Sequence, residues 1–163
     1  MILLLVVVAM LALVGSPAAA APAGTAPVTC GSIIDPGGSY SWRPKRVVLG
    51  VVAVPPAFIP QTVRTEGRWP YWSKAGLVVR ADSPPVIVRV PARWWGRAAI
   101  AWGDGGPAAA LRFEPCAPSS SLDGWNPYAG GFLLRSRTAC VPLVVRVGDR
   151  TATVRFGVGK RCG

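Results

Sequence analysis

The sequence predicts an all-β protein: an immunoglobulin-like antiparallel β-sandwich of seven or eight strands, tied by two disulfides. Three observations predict it. Short β-branched runs alternate with turn formers about every 8–15 residues, no amphipathic helical stretch of useful length occurs, and four cysteines (Cys30, Cys116, Cys140, Cys162) follow the first segment. A small barrel is the alternative. The Cys, Trp and Cys spacing of antibody domains is absent, so the likeness is one of architecture.

In chain order, residues 2–14 are uninterrupted apolar sequence, followed by an Ala/Pro/Gly stretch with small-residue cleavage points after Ala20 or Ala23. That pattern predicts a secretory signal peptide over residues 1–23. No Lys or Arg precedes the apolar run, so either the true start lies upstream of Met1, the preferred reading, or the signal is atypical. The alternative is an uncleaved anchor, the one membrane contact the sequence suggests. Residues 24–45 read as an irregular lead-in and 46–163 as a single β-sandwich domain.

Arg46 to Val54 is a candidate buried strand, stopped by Pro55-Pro56, and residues 55–74 read as a long connection. Ala75 to Arg80 and Val86 to Val90 are strands joined through Asp82-Ser83-Pro84-Pro85. Ala98, Ile100 and Trp102 alternate in the next strand, as do Leu111 and Phe113. Residues 117–131 read as turn-rich, and Phe132 to Arg135 as a further strand.

The closing segment carries the clearest pattern. With Gly148-Asp149 as a two-residue hairpin loop, Val147, Val145, Leu143 and Val141 oppose Arg150, Ala152, Val154 and Phe156 on one, largely apolar face. A one-residue slip would mix the faces.

An even cysteine number in an exported chain predicts two disulfides. Cys116–Cys140 with Cys30–Cys162 is the preferred pairing, because Gly157 stands opposite Cys140 and Cys162 lies five residues beyond it. Cys140–Cys162 with Cys30–Cys116 is the alternative. The spacings match no zinc pattern, and no metal or other cofactor is expected.

The net charge is +11 with no histidine. The charge points to anionic partners: nucleic acid, lipid headgroups or envelope polymers, of which export makes nucleic acid the least expected. Without histidine there is no Ser-His or Cys-His couple and no imidazole metal site. Glu66, Asp82, Asp104, Glu114 and Asp123 are scattered, and nothing in their spacing signals the carboxylate pair that glycoside hydrolysis needs. The sequence therefore predicts a protein that is not an enzyme, with a carboxylate-based hydrolase as the minor alternative.

Aromatic and basic side chains are the better lead. Arg68, Trp69, Tyr71, Trp72 and Lys74 place three rings and two cations within seven residues. Indole and phenol rings stack on sugar faces, and guanidinium pairs with phosphate or carboxylate. These five are the candidate binding residues; the competing reading is that the rings fill space under loops. Trp94-Trp95 between Arg93 and Arg97, and Trp125 with Tyr128, form two further clusters, while Trp102 is expected in the core. Arg80, Arg89, Arg112, Arg135, Arg146 and Arg155 each oppose the apolar parity of their strand. They predict a cationic stripe, or a solvated face that discourages sheet-to-sheet pairing.

Through Trp125-Asn126-Pro127-Tyr128-Ala129-Gly130-Gly131-Phe132 and the Cys140–Cys162 run, the chain resembles small exported β-sandwich-like proteins of high-GC Gram-positive bacteria. The resemblance implies export and no particular activity. The expectation is a secreted or envelope-associated, non-catalytic binding module for anionic cell-wall glycans or polymers. The alternative is a cell-surface domain that docks another surface protein.

Overall fold

The Gly148-Asp149 turn sets the register of the longest hairpin. The computed structural model describes residues 24–35, 46–119 and 122–163; the leader and positions 36–45 of the lead-in lie outside the described residues. Among these, fourteen strands follow in order: β1 (Ala26–Val28), β2 (Val47–Val48), β3 (Val52–Ala53), β4 (Phe58–Ile59), β5 (Val63–Arg64), β6 (Tyr71–Lys74) and β7 (Leu77–Arg80). Then come β8 (Val86–Arg89), β9 (Ala98–Trp102), β10 (Ala110–Phe113), β11 (Trp125–Tyr128), β12 (Gly130–Leu134), β13 (Ala139–Val147) and β14 (Arg150–Val158). β13 and β14 pair with Val147 opposite Arg150 and Val141 opposite Phe156, the predicted register. Gly148 takes φ of 54°, a conformation that the missing Cβ permits.

The strands form three sheets, in the orders β1-β10-β8-β13-β14-β4, β11-β7-β3-β2 and β5-β6-β12-β9. β1 lies parallel to β10 and β4 parallel to β14; the other pairs are antiparallel. The second and third sheets are two arms of one bent ladder. Tyr71 faces Leu134 and Lys74 faces Gly131 in one arm, and Leu77 faces Tyr128 and Arg80 faces Trp125 in the other, with no residue gained or lost between them. At the bend the Ala75 N–H donates to the Gly130 carbonyl at 2.8 Å.

The glycines at that bend are there for backbone approach. A Cβ on Gly130 would stand 2.0 Å from the Ala101 carbonyl oxygen, and one on Gly131 2.0 Å from that of Ser73. Residues 125–128 and 130–134 are therefore strand, where the sequence suggested turns up to 131.

One buried cluster joins all three sheets. It takes Leu143, Val145 and Phe156 from the six-stranded sheet, Leu77 and Tyr128 from the second, and Ile100, Trp102, Phe132 and Leu134 from the third. The Trp102 indole N–H donates to the buried Ala75 carbonyl at 2.7 Å, so burying this ring leaves no polar atom unpaired.

The fold is all-β, but its strands number fourteen among the described residues rather than seven or eight. β2 to β5 are two-residue pairings, too short to leave an alternation in the sequence. All four lie where one long strand and one long connection were expected.

The disulfide preference is corrected as well. Cys30 pairs with Cys116 and Cys140 with Cys162, at Cα separations of 5.7 and 5.4 Å. The register that argued against the second bond is present, with Cys140 opposite Gly157. The return of the tail brings the two cysteines together. A Cβ on Gly157 would lie 2.2 Å from the Lys160 carbonyl oxygen and 3.0 Å from the Cys162 nitrogen, so residues 160–162 fold back directly over this glycine. That closes the gap of five residues.

Candidate functional site

Val63, Arg64 and Pro70 to Tyr71 turn the expected long connection into a tight hairpin. Val63 pairs with Trp72 and Arg64 with Tyr71, and the Thr65 N–H donates to the Pro70 carbonyl at 3.0 Å. Gly67 takes φ of 84° in the intervening turn. The Thr65 hydroxyl donates to the Trp69 carbonyl and the Ser73 hydroxyl to that of Gln61, pinning the hairpin at both ends.

Alternation then divides the five candidate binding residues. Tyr71 packs against the core and Ser73, two residues on, is buried with it. Trp72 and Lys74 take the opposite parity and face outward. Trp69 is half-buried in the turn, with the exposed Arg68 guanidinium 5.3 Å from its ring centroid. Stacking of this kind holds a cation over an indole without removing it from water.

The sheet supplies neighbours that the sequence did not connect. Across β5, β6, β12 and β9, the register sets Val63, Trp72, Leu133 and Ala99 in one transverse row. Ile100, Phe132 and Leu134, of the other parity, are in the core, so this row faces away from it. Val63 is 60% exposed, Trp72 and Leu133 are half-buried, and Ala99 at the far end is buried. Cations flank the row on both sides. Lys74 follows Trp72 in parity, and Arg135 and Arg97 follow Leu133 and Ala99 just beyond the strand ends. Arg135 donates through its backbone N–H to the Arg97 carbonyl at 3.0 Å and through Nη1 to the Arg68 carbonyl at 2.6 Å, tying the basic positions to one frame.

Ala99 also joins the row to a notch. Arg68, Trp69, Trp95, Gly96, Ala98, Ala99 and the Pro107–Ala109 segment line it. Its interior of about 40 Å³ has room for about three waters, so it is too small to enclose a sugar ring. Trp95 is 42% exposed, with its indole N–H directed to the Val90 carbonyl at 3.3 Å, whereas Trp94 packs on the core. Trp69 and Trp95 thus meet at one notch although the sequence placed them in separate clusters. The one available signal was the run of small residues at Ala98-Ala99 and Ala108-Ala109, which leaves room for two indoles above it.

The third cluster serves the fold. Trp125 packs with Ala53, Val78 and Leu122 on the outer side of the second sheet, with the Arg80 guanidinium 6.0 Å from its ring. Tyr128 is in the core, and the Asn126 side-chain amide donates to the Cys116 and Ala117 carbonyls at 3.3 and 3.0 Å. That arm of the bent ladder is therefore covered, while the Trp72 arm is open.

No family model, curated protein or solved structure matches the chain.

Asp104 accepts from the Thr29 hydroxyl at 2.6 Å and from the Thr29 backbone N–H at 3.0 Å, and these bonds, the hydroxyl's first, hold its pKa below the usual 3.8. Burial, and then the charges of Asp104 and Glu114, push Tyr128 up to about 12. No cluster of three or more Cys, Asp or Glu able to hold a metal stands among the described residues.

Proposed function

We propose that this is a secreted or envelope-associated, non-catalytic binding module, built as an immunoglobulin-like β-sandwich, that holds an anionic glycan or polymer on the outer face of the β5-β6-β12-β9 sheet. One observation carries the proposal: the outward row Val63–Trp72–Leu133–Ala99 flanked by Lys74, Arg97 and Arg135. An apolar strip, reachable from Val63 through Trp72 to Leu133 and with an indole at its centre, suits the flat face of a sugar ring. Cations on either side suit phosphate or carboxylate substituents. Arg68 and Trp69 extend the strip at the hairpin turn, and Glu66 in the same turn is the one carboxylate of that hairpin. Tyr71 supports the strip from beneath. The two disulfides fit an oxidising compartment, which is where such polymers are met.

Sedimentation with isolated cell walls tests the proposal. The protein is expected to be retained at low salt and released at high salt, since exposed cations are screened. Trp72→Ala is expected to weaken retention by roughly tenfold or more, in line with the ~1–3 kcal/mol of one aromatic stacking platform. Absence of retention at low salt would overturn the proposal. The exposed Val63 and Trp95 favour a second reading, docking of another surface protein. In that case retention would survive high salt and vanish after protease treatment of the walls.

A further inference from the structure

The outer face of the six-stranded sheet has a different chemistry from the Trp72 face. Its outward positions follow from the register. Arg112 pairs with Ile87 and Ile87 with Arg146, while Arg89, two residues along β8, pairs with Val144. All three arginines are exposed. With strands ~4.8 Å apart and ~3.4 Å per residue, Arg89 lies about 8 Å from both Arg112 and Arg146, and these two are about 10 Å apart. Arg155, opposite Pro142 on β14, continues the group toward the sheet edge. No Asp or Glu occupies any position of the six strands of this sheet. The residues between the arginines are Ile87 and Val144, with no aromatic ring on β1, β8, β10 or β13 facing outward.

We infer that this face is a second binding surface, for a linear phosphate polymer. Three guanidinium groups in a fixed triangle, with no acid within the strands and Glu114 just past the end of β10 beside only one of them, attract a chain of closely spaced anions, and the planar fork of each suits a phosphate oxygen pair. Without an outward ring, the triangle offers nothing for a sugar or a base to stack on, so it reads charge rather than shape. The face lies on the opposite side of the core from the Trp72 row, because both sheets turn their other faces to the same buried cluster. The inference therefore stands independently of the glycan reading.

Titration calorimetry with inorganic polyphosphate, over a series of salt concentrations, tests it on the full protein. The wild type is expected to bind at low salt and to lose affinity as salt rises, with a log–log slope of roughly −2 to −3 for three phosphate contacts. The triple variant R89Q/R112Q/R146Q is expected to lose at least tenfold in affinity and to flatten that slope. The single variant R89Q, at the triangle's apex, is expected to lose severalfold and guards against misfolding of the triple variant. R137Q, an exposed arginine before the start of β13 that belongs to neither face, is expected to bind as the wild type does. Three results would overturn the inference: no polyphosphate binding at low salt, an equal loss in R137Q, or anionic lipid vesicles binding more tightly than polyphosphate through the same three arginines.

Discussion

Tyr128 shows how one buried residue makes the stability of the whole fold depend on pH. Its ring packs edge-on against Phe113 at 5.0 Å between centroids, and its hydroxyl points at the Cys116 sulfur, 3.8 Å away. Burial there disfavours the phenolate, and the negative charges of Asp104 and Glu114 disfavour it further, so its pKa rises from 10.0 to about 12. A raised pKa on a neutral acid means that the unfolded chain gives up this proton first. The stability Tyr128 contributes is therefore complete below pH 10, declines as pH rises from 10 to about 12, and is lost above that. Urea midpoints measured across this window are expected to fall in the wild type. Tyr128→Phe is expected to reduce the fall, and an unchanged slope in that variant would show the titration lies elsewhere. At this scale the sequence was legible where packing alone decides, as at Trp102. It was opaque where a partner comes from afar, because nothing local places Asp104, 24 residues before Tyr128, beside Thr29 and within reach of the phenol.

At the scale of elements, glycine was the hardest residue to read. The same residue type is a turn at Gly148 and a mid-ladder close approach at Gly130-Gly131. At Gly157 it is a floor on which the tail lies. The Gly148 turn was legible because apolar alternation on both sides fixed its register. Gly130-Gly131 was not, since what demands them is the Ala101 and Ser73 carbonyls of neighbouring strands. The same holds for Trp72, whose neighbours Leu133 and Ala99 are distant in sequence, so the parity that separates it from Tyr71 became visible only with the pairing known. Gly157→Ala tests the reading of the tail. Its new Cβ would collide with backbone at Lys160, and the 160–162 return is expected to be displaced. Free-thiol counting by mass spectrometry should then find Cys140 and Cys162 partly reduced, with Cys30–Cys116 intact. Complete formation of both bonds in this variant would contradict the fold-back.

For the whole molecule, the two disulfides close loops of very different length. Cys30–Cys116 ties the end of β1 to the end of β10 across 86 residues, and Cys140–Cys162 ties the hairpin base across 22. Chain entropy gives about 4.5 kcal/mol for the first and about 3 kcal/mol for the second. Cys30→Ser/Cys116→Ser is thus expected to lose more in chemical denaturation than Cys140→Ser/Cys162→Ser. The reverse order would mean that packing of the tail outweighs loop closure. The bent ladder presents an open, aromatic, cation-flanked face on one side of the core, and the six-stranded sheet a ring-poor arginine face on the other.

The Trp72 face is the proposed binding surface, and its indole N–H signals report directly on whether a ligand sits there. Titrating the labelled protein with a carboxylated or phosphorylated oligosaccharide at low salt, and following those signals by NMR, is expected to shift Trp72 and Trp69, with Trp95 following as their neighbour. Trp102 and Trp125 should stay in place. No movement of any indole, or equal movement of Trp102 and Trp125, would contradict it.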